Sequence, residues 1–258
     1  MRRFSAEYLS RTRAGMWSDR SALAPLRLGE ADSVLDVGCG NGELTRVLAE
    51  ECPGRVVGCD RDPALLAELP VEGVRGDALS LPFPDDAFDV VVCQALLINL
   101  PDPSLAIEEF ARVARERVAA VEPDNAAVAI ESSVDAEPVL AKRARVRYLA
   151  GVGTDVALGS NARALFEAAG LGDIEVRRHD HTRVTEPPYS EADLQAISRK
   201  ASAEDLRARR GDMEGTEEEL DRLRSEWREM GRAVAEQAQA GEYRRSETVP
   251  FYVTVGSV

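Results

Sequence analysis

The stretch that decides the fold runs from residue 33 to residue 45 and reads Ser33-Val-Leu-Asp-Val-Gly-Cys-Gly-Asn-Gly-Glu-Leu-Thr45. An apolar run that carries one acid, Asp36, is followed by glycines at every second position, Gly38, Gly40 and Gly42. This order predicts a buried strand, a tight glycine loop and then a helix. Because glycine tolerates positive φ and has no Cβ, such a loop turns sharply while a small ligand lies against its backbone. We therefore expect a cofactor at this loop.

The spacing of the glycines narrows the kind of cofactor. The dinucleotide fingerprint Gly-x-Gly-x-x-Gly requires glycine at position 43, where this chain has Glu43. A ligand without a pyrophosphate is therefore favoured. A nicotinamide-dependent oxidoreductase stays open as the alternative, because such enzymes also place an acid at the end of the second strand.

Three further segments follow the glycine loop in a recognisable order. Residues 55–60 read as a second buried strand ending in Asp60, about twenty residues after the loop, where nucleoside-binding folds place an acceptor for ribose hydroxyls. Gly76-Asp77-Ala78 comes next, and residues 81–92 form a proline-punctuated turn that runs into an apolar strand.

Together with Asp36 and the three glycines, these segments resemble the class I S-adenosylmethionine-dependent methyltransferases over about residues 30–125. The resemblance implies S-adenosylmethionine as the cofactor. It places Asp60 on the ribose, with Arg61 beside it, and Asp77 on the adenine amine, with the amide of Ala78 on a ring nitrogen. Asp36 and the glycines complete the implied cofactor site.

The alternation of apolar runs with helix-period segments predicts a parallel sheet. Strands are expected near 33–37, 55–59, 73–76, 88–93 and 117–122, and later near 174–184 and 247–256, with helical structure from about 122 to 169. The fold class is thus α/β, a Rossmann-like seven-stranded mostly parallel sheet with helices on both faces. The expected domains are an N-terminal helical segment at 1–30, a cofactor-binding domain at 31–184 with 246–258, and a helical insertion at 185–245 before the last strand.

The insertion carries its own helix signals. Ser190-x-x-Asp193 and Thr216-x-x-Glu219 resemble capping boxes, and an apolar stripe at three- and four-residue spacing follows, made of Leu220, Leu223, Trp227, Met230 and Val234. If the strand near residue 174 runs parallel to the first five, its end opens toward the cofactor loops, so we expect a lid over the acceptor. A dimerisation arm or a plain surface bundle is the alternative, since the stripe could bury against a second chain.

Candidate catalytic residues come from the strand ends. Gln94, at the end of the fourth strand, is a candidate for orienting donor or acceptor, and a polar strand end facing water is the alternative. Glu122, with Asp124 nearby, is a candidate carboxylate base, and a carboxylate that caps the next turn is the alternative. His181, two residues after His179, is a conceivable general base, although two exposed histidines on an edge strand are the favoured interpretation.

The N-terminal segment offers two aromatic residues, Tyr8 and Trp17. By resemblance to similar enzymes they are expected to close over the methionine end of the donor, and ordinary packing is the alternative.

Composition limits the partners. The chain has 258 residues and a formal net charge of -14, which argues against nucleic acid because phosphate neutralisation needs Lys and Arg. Only two lysines occur, Lys142 and Lys200, so an acidic surface adapted to high salt is a hypothesis.

The sequence has no apolar run long enough for a signal peptide or a membrane span, so we expect a cytoplasmic protein without a membrane partner. The four cysteines match no zinc spacing, and no metal is expected.

The sequence thus predicts S-adenosylmethionine-dependent methyl transfer to a small-molecule acceptor with an O, N or C nucleophile, in a monomer or homodimer. Two alternatives stay open, a nicotinamide-dependent oxidoreductase and a non-catalytic S-adenosylmethionine-binding protein. The identity of the acceptor is not readable from these motifs.

Overall fold

The computed structural model describes residues 6–258, except for the side chains of residues 6–8 and 11. Within this range eight strands occur: β1 Ser33–Val37, β2 Arg55–Asp60, β3 Glu72–Arg75, β4 Phe88–Gln94, β5 Ala114–Pro123, β6 Ala129–Ser132, β7 Gly172–Thr185 and β8 Arg245–Ser257. The same range contains nine α-helices: α1 Ala6–Arg13, α2 Glu43–Glu51, α3 Pro63–Leu66, α4 Ser104–Val113, α5 Ala136–Gly151, α6 Ala162–Ala168, α7 Glu191–Ser202, α8 Glu204–Ala208 and α9 Glu217–Gln239. Two compact units divide the chain.

The first unit consists of Met1–Asp124, Leu158–His179 and Pro250–Val258. Its strands follow the order β3-β2-β1-β4-β5-β8, in which the first five are parallel and β8 is antiparallel to β5. β7 pairs with β8, and the side-chain pairs Asp173–Ser257 and Thr182–Thr248 show that these two strands run in opposite directions. The predicted Rossmann-like, mostly parallel sheet is therefore confirmed.

The sheet forms because its central strands are apolar on both faces. Val34 and Leu35 of β1 and Val90 and Val91 of β4 are fully buried, as parallel strands covered by helices require. β1 and α2 lie at the residues that the pattern predicts. The carboxyl ends of the parallel strands share one edge, which is where open α/β sheets bind their ligands.

The second unit consists of Asn125–Ala157 and Asp180–Val249 and has a separate apolar core. Both predicted capping boxes are present at the starts of α7 and α9. The apolar stripe of α9 is largely buried within this unit, where Leu223, Met230 and Val234 join the core with Ile197 of α7. The stripe therefore has a partner inside its own chain. The unit contains the predicted insertion and residues 125–157 as well, and the lid remains a prediction.

Some local expectations were wrong. The segment after Glu122 is not continuously helical, because β6 forms at residues 129–132 and pairs antiparallel with the first part of β8. Helix α4 begins at Ser104, whose amide donates to the carboxylate of Asp102. β5 begins at Ala114, three residues before the expected 117. None of the helices among residues 6–258 is both long and apolar enough to cross a membrane.

Candidate active site

The glycine loop leaves β1 with its backbone in the left-handed region. The φ angles of Gly38, Gly40 and Gly42 are 68°, 55° and 84°. Residues with a Cβ rarely adopt these angles, so the motif is required by the turn itself. The amide of Gly38 donates to the carbonyl of Cys59 at 2.7 Å, which ties the loop to the end of β2.

Asp60, at the end of β2, is fixed against this loop. Its Oδ2 accepts from the amide of Gly40 at 3.0 Å, and its Oδ1 accepts from the amide of Asp62 at 2.9 Å. A carboxylate has about four acceptor positions, so each oxygen keeps capacity for a further donor. The geometry therefore suits a ligand with two adjacent hydroxyl groups. Arg61, the next residue, is exposed.

Asp77 lies just beyond β3 and is joined to the same edge. The amide of Gly76 donates to the carbonyl of Asp60 at 3.1 Å, so the ends of β2 and β3 are held together. Asp77 is exposed, and its Oδ1 accepts from the amide of Leu79 at 3.1 Å, while Ala78 is buried. Two strand-end carboxylates, at 60 and 77, therefore lie at the neighbouring ends of β2 and β3.

Asp36 occupies a different position from the other candidate cofactor residues. It is buried beneath the glycine loop, and its carboxylate accepts from the hydroxyl of Thr45 at 2.6 Å. Burial raises the pKa of Asp36 to about 7; the hydrogen bond from Thr45 opposes this shift, and the nearby charge of Asp60 adds to it. Asp36 therefore joins β1 to α2 through its hydrogen bond with Thr45.

Gln94, at the end of β4, is held by the N-terminal segment. Its Oε1 accepts from the indole N–H of Trp17 at 3.2 Å, and its Nε2 lies 3.1 Å from Sδ of Met16. Trp17 stacks on His179, with ring centroids 4.9 Å apart, and Nε2 of His179 is 2.7 Å from the carbonyl of Met16. Gln94 is thus oriented by a packed aromatic pair. The side chain of Tyr8 lies outside the described residues.

Helix α1 also lies over the glycine loop, a contact that the motifs do not indicate. Nδ2 of Asn41 donates to the hydroxyl of Ser10 at 2.7 Å, and that hydroxyl is 3.2 Å from the carboxylate of Glu43. A Cβ placed on Gly40 would lie 2.8 Å from the side chain of Leu9. The expectation that the N-terminal segment closes over the donor is the sequence inference nearest to this contact.

Glu122 is fully buried, and its role as a base stays a prediction. Its carboxylate accepts from the amides of Leu96 at 3.0 Å, Leu97 at 2.8 Å and Ile98 at 3.4 Å. Burial raises its pKa to about 7 against the lowering effect of these amides. The carboxylate thus accepts from the amides that open the 3-10 turn at Leu97–Asn99, which precedes it in the chain, and not from the next turn as the alternative expected.

The two histidines are buried, which corrects the expectation of exposed side chains on an edge strand. His179 is 8% exposed and His181 is 4% exposed. Alternation along β7 gives them the same side of the strand. His179 is engaged with Met16 and Trp17 as described above, and it belongs to the first unit, whereas His181 belongs to the second.

Comparison with known proteins agrees with this geometry. Residues 35–122 match a family model described as a methyltransferase domain. This part of the chain resembles a methyltransferase domain. The matched residues include the last three residues of β1, the glycine loop, Asp60, Asp77, Gln94 and Glu122. The resemblance stated above to S-adenosylmethionine-dependent methyltransferases is therefore confirmed.

Curated relatives resemble the methyltransferase domain rather than the whole chain. The 2-phytyl-1,4-naphtoquinone methyltransferase of Synechococcus elongatus is 40% identical over 95 residues, which are 32% of this chain and 41% of that protein. The demethylmenaquinone methyltransferase of Lactiplantibacillus plantarum is 33% identical over 135 residues, 47% of this chain and 54% of that protein. The chain thus spans about half or less of the length of these relatives.

Solved structures resemble the fold over nearly all of the chain. A crystal structure of a methyltransferase from Archaeoglobus fulgidus, titled as dependent on S-adenosylmethionine, has a TM-score of 0.52 at 13% identity and covers 98% of this chain and 100% of that one. A structure titled as a methyltransferase from Bacillus halodurans has a TM-score of 0.51 at 19% identity and covers 92% and 98%. At these identities the likeness establishes the fold alone.

Proposed function

We propose that this protein is an S-adenosylmethionine-dependent methyltransferase that acts on a small molecule. The observation that carries the proposal is the junction of the glycine loop with Asp60, where a strand-end carboxylate is hydrogen-bonded to the amide of Gly40 within the matched domain. A loop at positive φ, with carboxylates 60 and 77 beside it, fits an adenosyl amino acid in both shape and donor–acceptor character.

In this proposal each residue at the edge has one task. Asp60 binds the two ribose hydroxyls, Asp77 accepts from the adenine amine, and the amide of Ala78 donates to the ring. The glycine loop lies against the amino-acid portion. S-adenosylmethionine supplies an activated methyl group on a sulfonium, so the chain mainly has to align the acceptor for in-line attack and exclude water.

Gln94 is the polar side chain that we propose at the methyl-transfer end, because it lies at the end of β4 and is oriented by Trp17 and Met16. Glu122 is proposed as a positioning residue, because its carboxylate is occupied by backbone amides. A base is needed only if the acceptor must lose a proton. His181 remains the proposed candidate for that role.

The acceptor is proposed to be a small molecule, in keeping with the 2-phytyl-1,4-naphtoquinone and demethylmenaquinone in the names of the curated relatives. We further propose that residues 185–245 form a lid over the acceptor. Hydrogen exchange of these residues tests the lid. Slower exchange only when acceptor and S-adenosylhomocysteine are both present supports it, and exchange that is indifferent to the acceptor contradicts it.

Calorimetry with S-adenosylhomocysteine and with NAD tests the cofactor assignment. We expect binding of S-adenosylhomocysteine alone, weakened at least about tenfold in Asp60→Asn and in Asp77→Asn, since each loses hydrogen bonds to a charged acceptor. Asp85→Asn is the matched control, because Asp85 is an exposed carboxylate of the same unit that pairs with Arg112. Binding of NAD instead, or unchanged affinity in both site variants, contradicts the proposal.

A further inference from the structure

Gln94 is held at both ends of its amide by two consecutive residues of the N-terminal segment. Its oxygen accepts from the indole N–H of Trp17 at 3.2 Å, and its nitrogen lies 3.1 Å from the sulfur of Met16. Gln94 itself is half-buried, so part of the residue stays open to solvent at the end of β4. Whatever fixes Met16 and Trp17 therefore fixes the direction of the Gln94 amide.

A single residue of β7, His179, contacts both Met16 and Trp17. Its Nε2 lies 2.7 Å from the carbonyl oxygen of Met16. Because a carbonyl oxygen can only accept a hydrogen bond, Nε2 must carry a proton and donate it to this bond. The face of the ring stacks on Trp17, with 13° between the two planes. His179, Met16, Trp17 and Gln94 all belong to the first unit.

Burial alone does not set the direction of the Trp17 indole. Met16 is 2% exposed and Trp17 is 7% exposed, so apolar burial holds both residues against the core. That attraction is non-directional, whereas hydrogen bonds and ring contacts have preferred geometries. The two contacts of His179 are directional, so they are suited to select one orientation of the indole and, through it, of Gln94.

Arg20 and Arg177 make further polar contacts with the N-terminal segment, but at the surface. Arg20 pairs with two glutamates of α2, and Arg177 of β7 donates to the carbonyl of Ser21 at 3.2 Å. Both arginine side chains are partly exposed. Exposed ion pairs contribute little because water and salt screen them. The buried contacts of His179 should therefore dominate over these surface contacts in orienting Trp17.

We propose that His179 is a positioning residue for the methyl-transfer site, because it fixes Met16 and Trp17 and thereby orients Gln94. The imidazole contributes in two ways, since its ring makes the stack and its N–H makes the bond to the carbonyl. That Gln94 faces the methyl donor rests on the function proposed above, whereas the anchoring of Gln94 rests on the contacts alone. Such positioning matters because small displacements of aligned groups slow a reaction strongly.

The indole proton of Trp17 reports this anchoring without any ligand. The chain has two tryptophans, so Trp227→Phe leaves Trp17 as the source of the one indole signal in a ¹⁵N–¹H spectrum. The rate at which this proton exchanges with water measures how firmly the indole is held. Adding Gln94→Ala removes the acceptor of the proton and so gives the rate of an indole without this bond.

Two substitutions of His179 are compared in the Trp227→Phe chain. His179→Phe keeps a ring for the stack but has no donor, and His179→Gln keeps an N–H donor but has no ring. We expect each to speed the exchange of the Trp17 indole proton at least about tenfold, because each loses one of the two directional contacts. If one of these variants does not fold, the other carries the comparison.

Arg177→Gln is the matched control. Arg177 lies on the same strand as His179 and also donates to a carbonyl of the N-terminal segment, but at the surface. We expect its substitution to leave the exchange of the Trp17 indole proton unchanged. Unchanged exchange in the His179 variants, or equal acceleration in Arg177→Gln, overturns the proposal.

Calorimetry with S-adenosylhomocysteine separates positioning from a purely structural role. We expect His179→Phe to weaken binding about fivefold, and Gln94→Ala to weaken it at least as much. If His179 acts through Gln94, adding His179→Phe to Gln94→Ala causes no further loss of affinity. Losses that multiply in the double variant assign His179 a structural role and overturn the proposal.

The two measurements also distinguish failure of this proposal from failure of the proposed function. If the natural protein does not bind S-adenosylhomocysteine while the indole exchange responds to His179 as expected, the proposed function fails and the anchoring of Gln94 stands. If S-adenosylhomocysteine binds the His179 variants as tightly as it binds Arg177→Gln, the positioning role fails and the proposed function stands.

Discussion

Asp36 places a titratable carboxyl inside the core of the first unit, directly beneath the glycine loop. Its pKa is about 7 in the folded protein, against an ordinary value of 3.8, chiefly because burial disfavours the charged form. The folded state therefore holds the proton more tightly than the unfolded chain. The stability that this proton confers is complete below about pH 3.8 and is lost as pH rises through about 7.

The variant Asp36→Asn isolates this effect, because Asn still accepts from Thr45 but carries no charge. We expect its melting temperature relative to the natural protein to increase as the pH is raised from about 5 to about 8, the interval in which Asp36 ionises. Asp85→Asn, at an exposed position, is the control and should show the same difference at both pH values. If the melting temperatures of Asp36→Asn and the natural protein differ by the same amount at both pH values, the raised pKa of Asp36 is contradicted.

Trp17 is the residue through which the N-terminal segment orients Gln94. Trp17→Phe keeps an aromatic ring against His179 but removes the indole donor to Gln94. We expect a loss of about 1 kcal/mol in unfolding free energy, the typical net value of such a bond, and weaker binding of S-adenosylhomocysteine. Denaturant unfolding and calorimetry measure the two effects.

Trp227→Phe is the control for that experiment, because the indole nitrogen of Trp227 has no hydrogen-bond partner among the described residues. Because Trp227→Phe breaks no hydrogen bond, we expect it to cause no such loss of unfolding free energy and no weaker binding of S-adenosylhomocysteine. If both variants behave alike, the contact between Trp17 and Gln94 does not orient the site.

At the residue scale the sequence located the candidate site but not the environment of each side chain. The motif placed Asp60 and Asp77 at strand ends, because the carboxyl ends of parallel strands share one edge. Whether a strand-end acid faces solvent depends on the backbone that folds over it. The amides of residues 96–98 donate to Glu122, which is buried beneath them. No pattern in the sequence around Glu122 predicts this contact.

At the scale of elements, the glycine loop and α1 form one contact surface. Gly40→Ala would place a methyl group 2.8 Å from the side chain of Leu9 and force a positive φ on a residue with a Cβ. We expect a loss of about 1–2 kcal/mol in unfolding free energy from the φ strain alone. We also expect weaker binding of S-adenosylhomocysteine, because the side chain of Leu9, on α1, must move away from the loop.

Gly170→Ala separates the effect of φ strain from the effect of the contact with Leu9. Gly170 also has a positive φ, 80°, but a Cβ there would meet no atom within 4 Å. Chemical denaturation should show similar strain in both variants, whereas calorimetry should show weaker ligand binding only for Gly40→Ala. Equal ligand affinity in the two variants contradicts the coupling of α1 to the loop.

Element boundaries were predictable where the signal was local. β1 and α2 follow from an apolar run and a three-four stripe, and the box Thr216-x-x-Glu219 marks the start of α9. β6 was missed because its four residues have no strong pattern of their own. It becomes a strand through pairing with Arg245–Thr248, more than a hundred residues later in the chain.

At the scale of the whole molecule, the surface charge is the property that composition controls most directly. Self-repulsion of a chain with a formal net charge of -14 opposes compaction, and salt weakens it by shortening the Debye length from about 10 Å at 0.1 M to about 3 Å at 1 M. Salt also weakens surface ion pairs, but each contributes only about 0–1 kcal/mol. Repulsion over the whole surface should therefore be the larger effect.

We therefore expect the melting temperature to rise as potassium chloride increases from about 0.1 M to about 1 M. Each 1 kcal/mol of relieved repulsion corresponds to about 2–4 °C for a chain of this size. Sodium chloride should give the same curve, because screening depends on ionic strength and not on the cation. Sucrose controls for general solute effects, since it stabilises by exclusion without screening charge. A curve that stays flat to molar salt rules out both the dominance of repulsion and the hypothesis of a surface adapted to high salt.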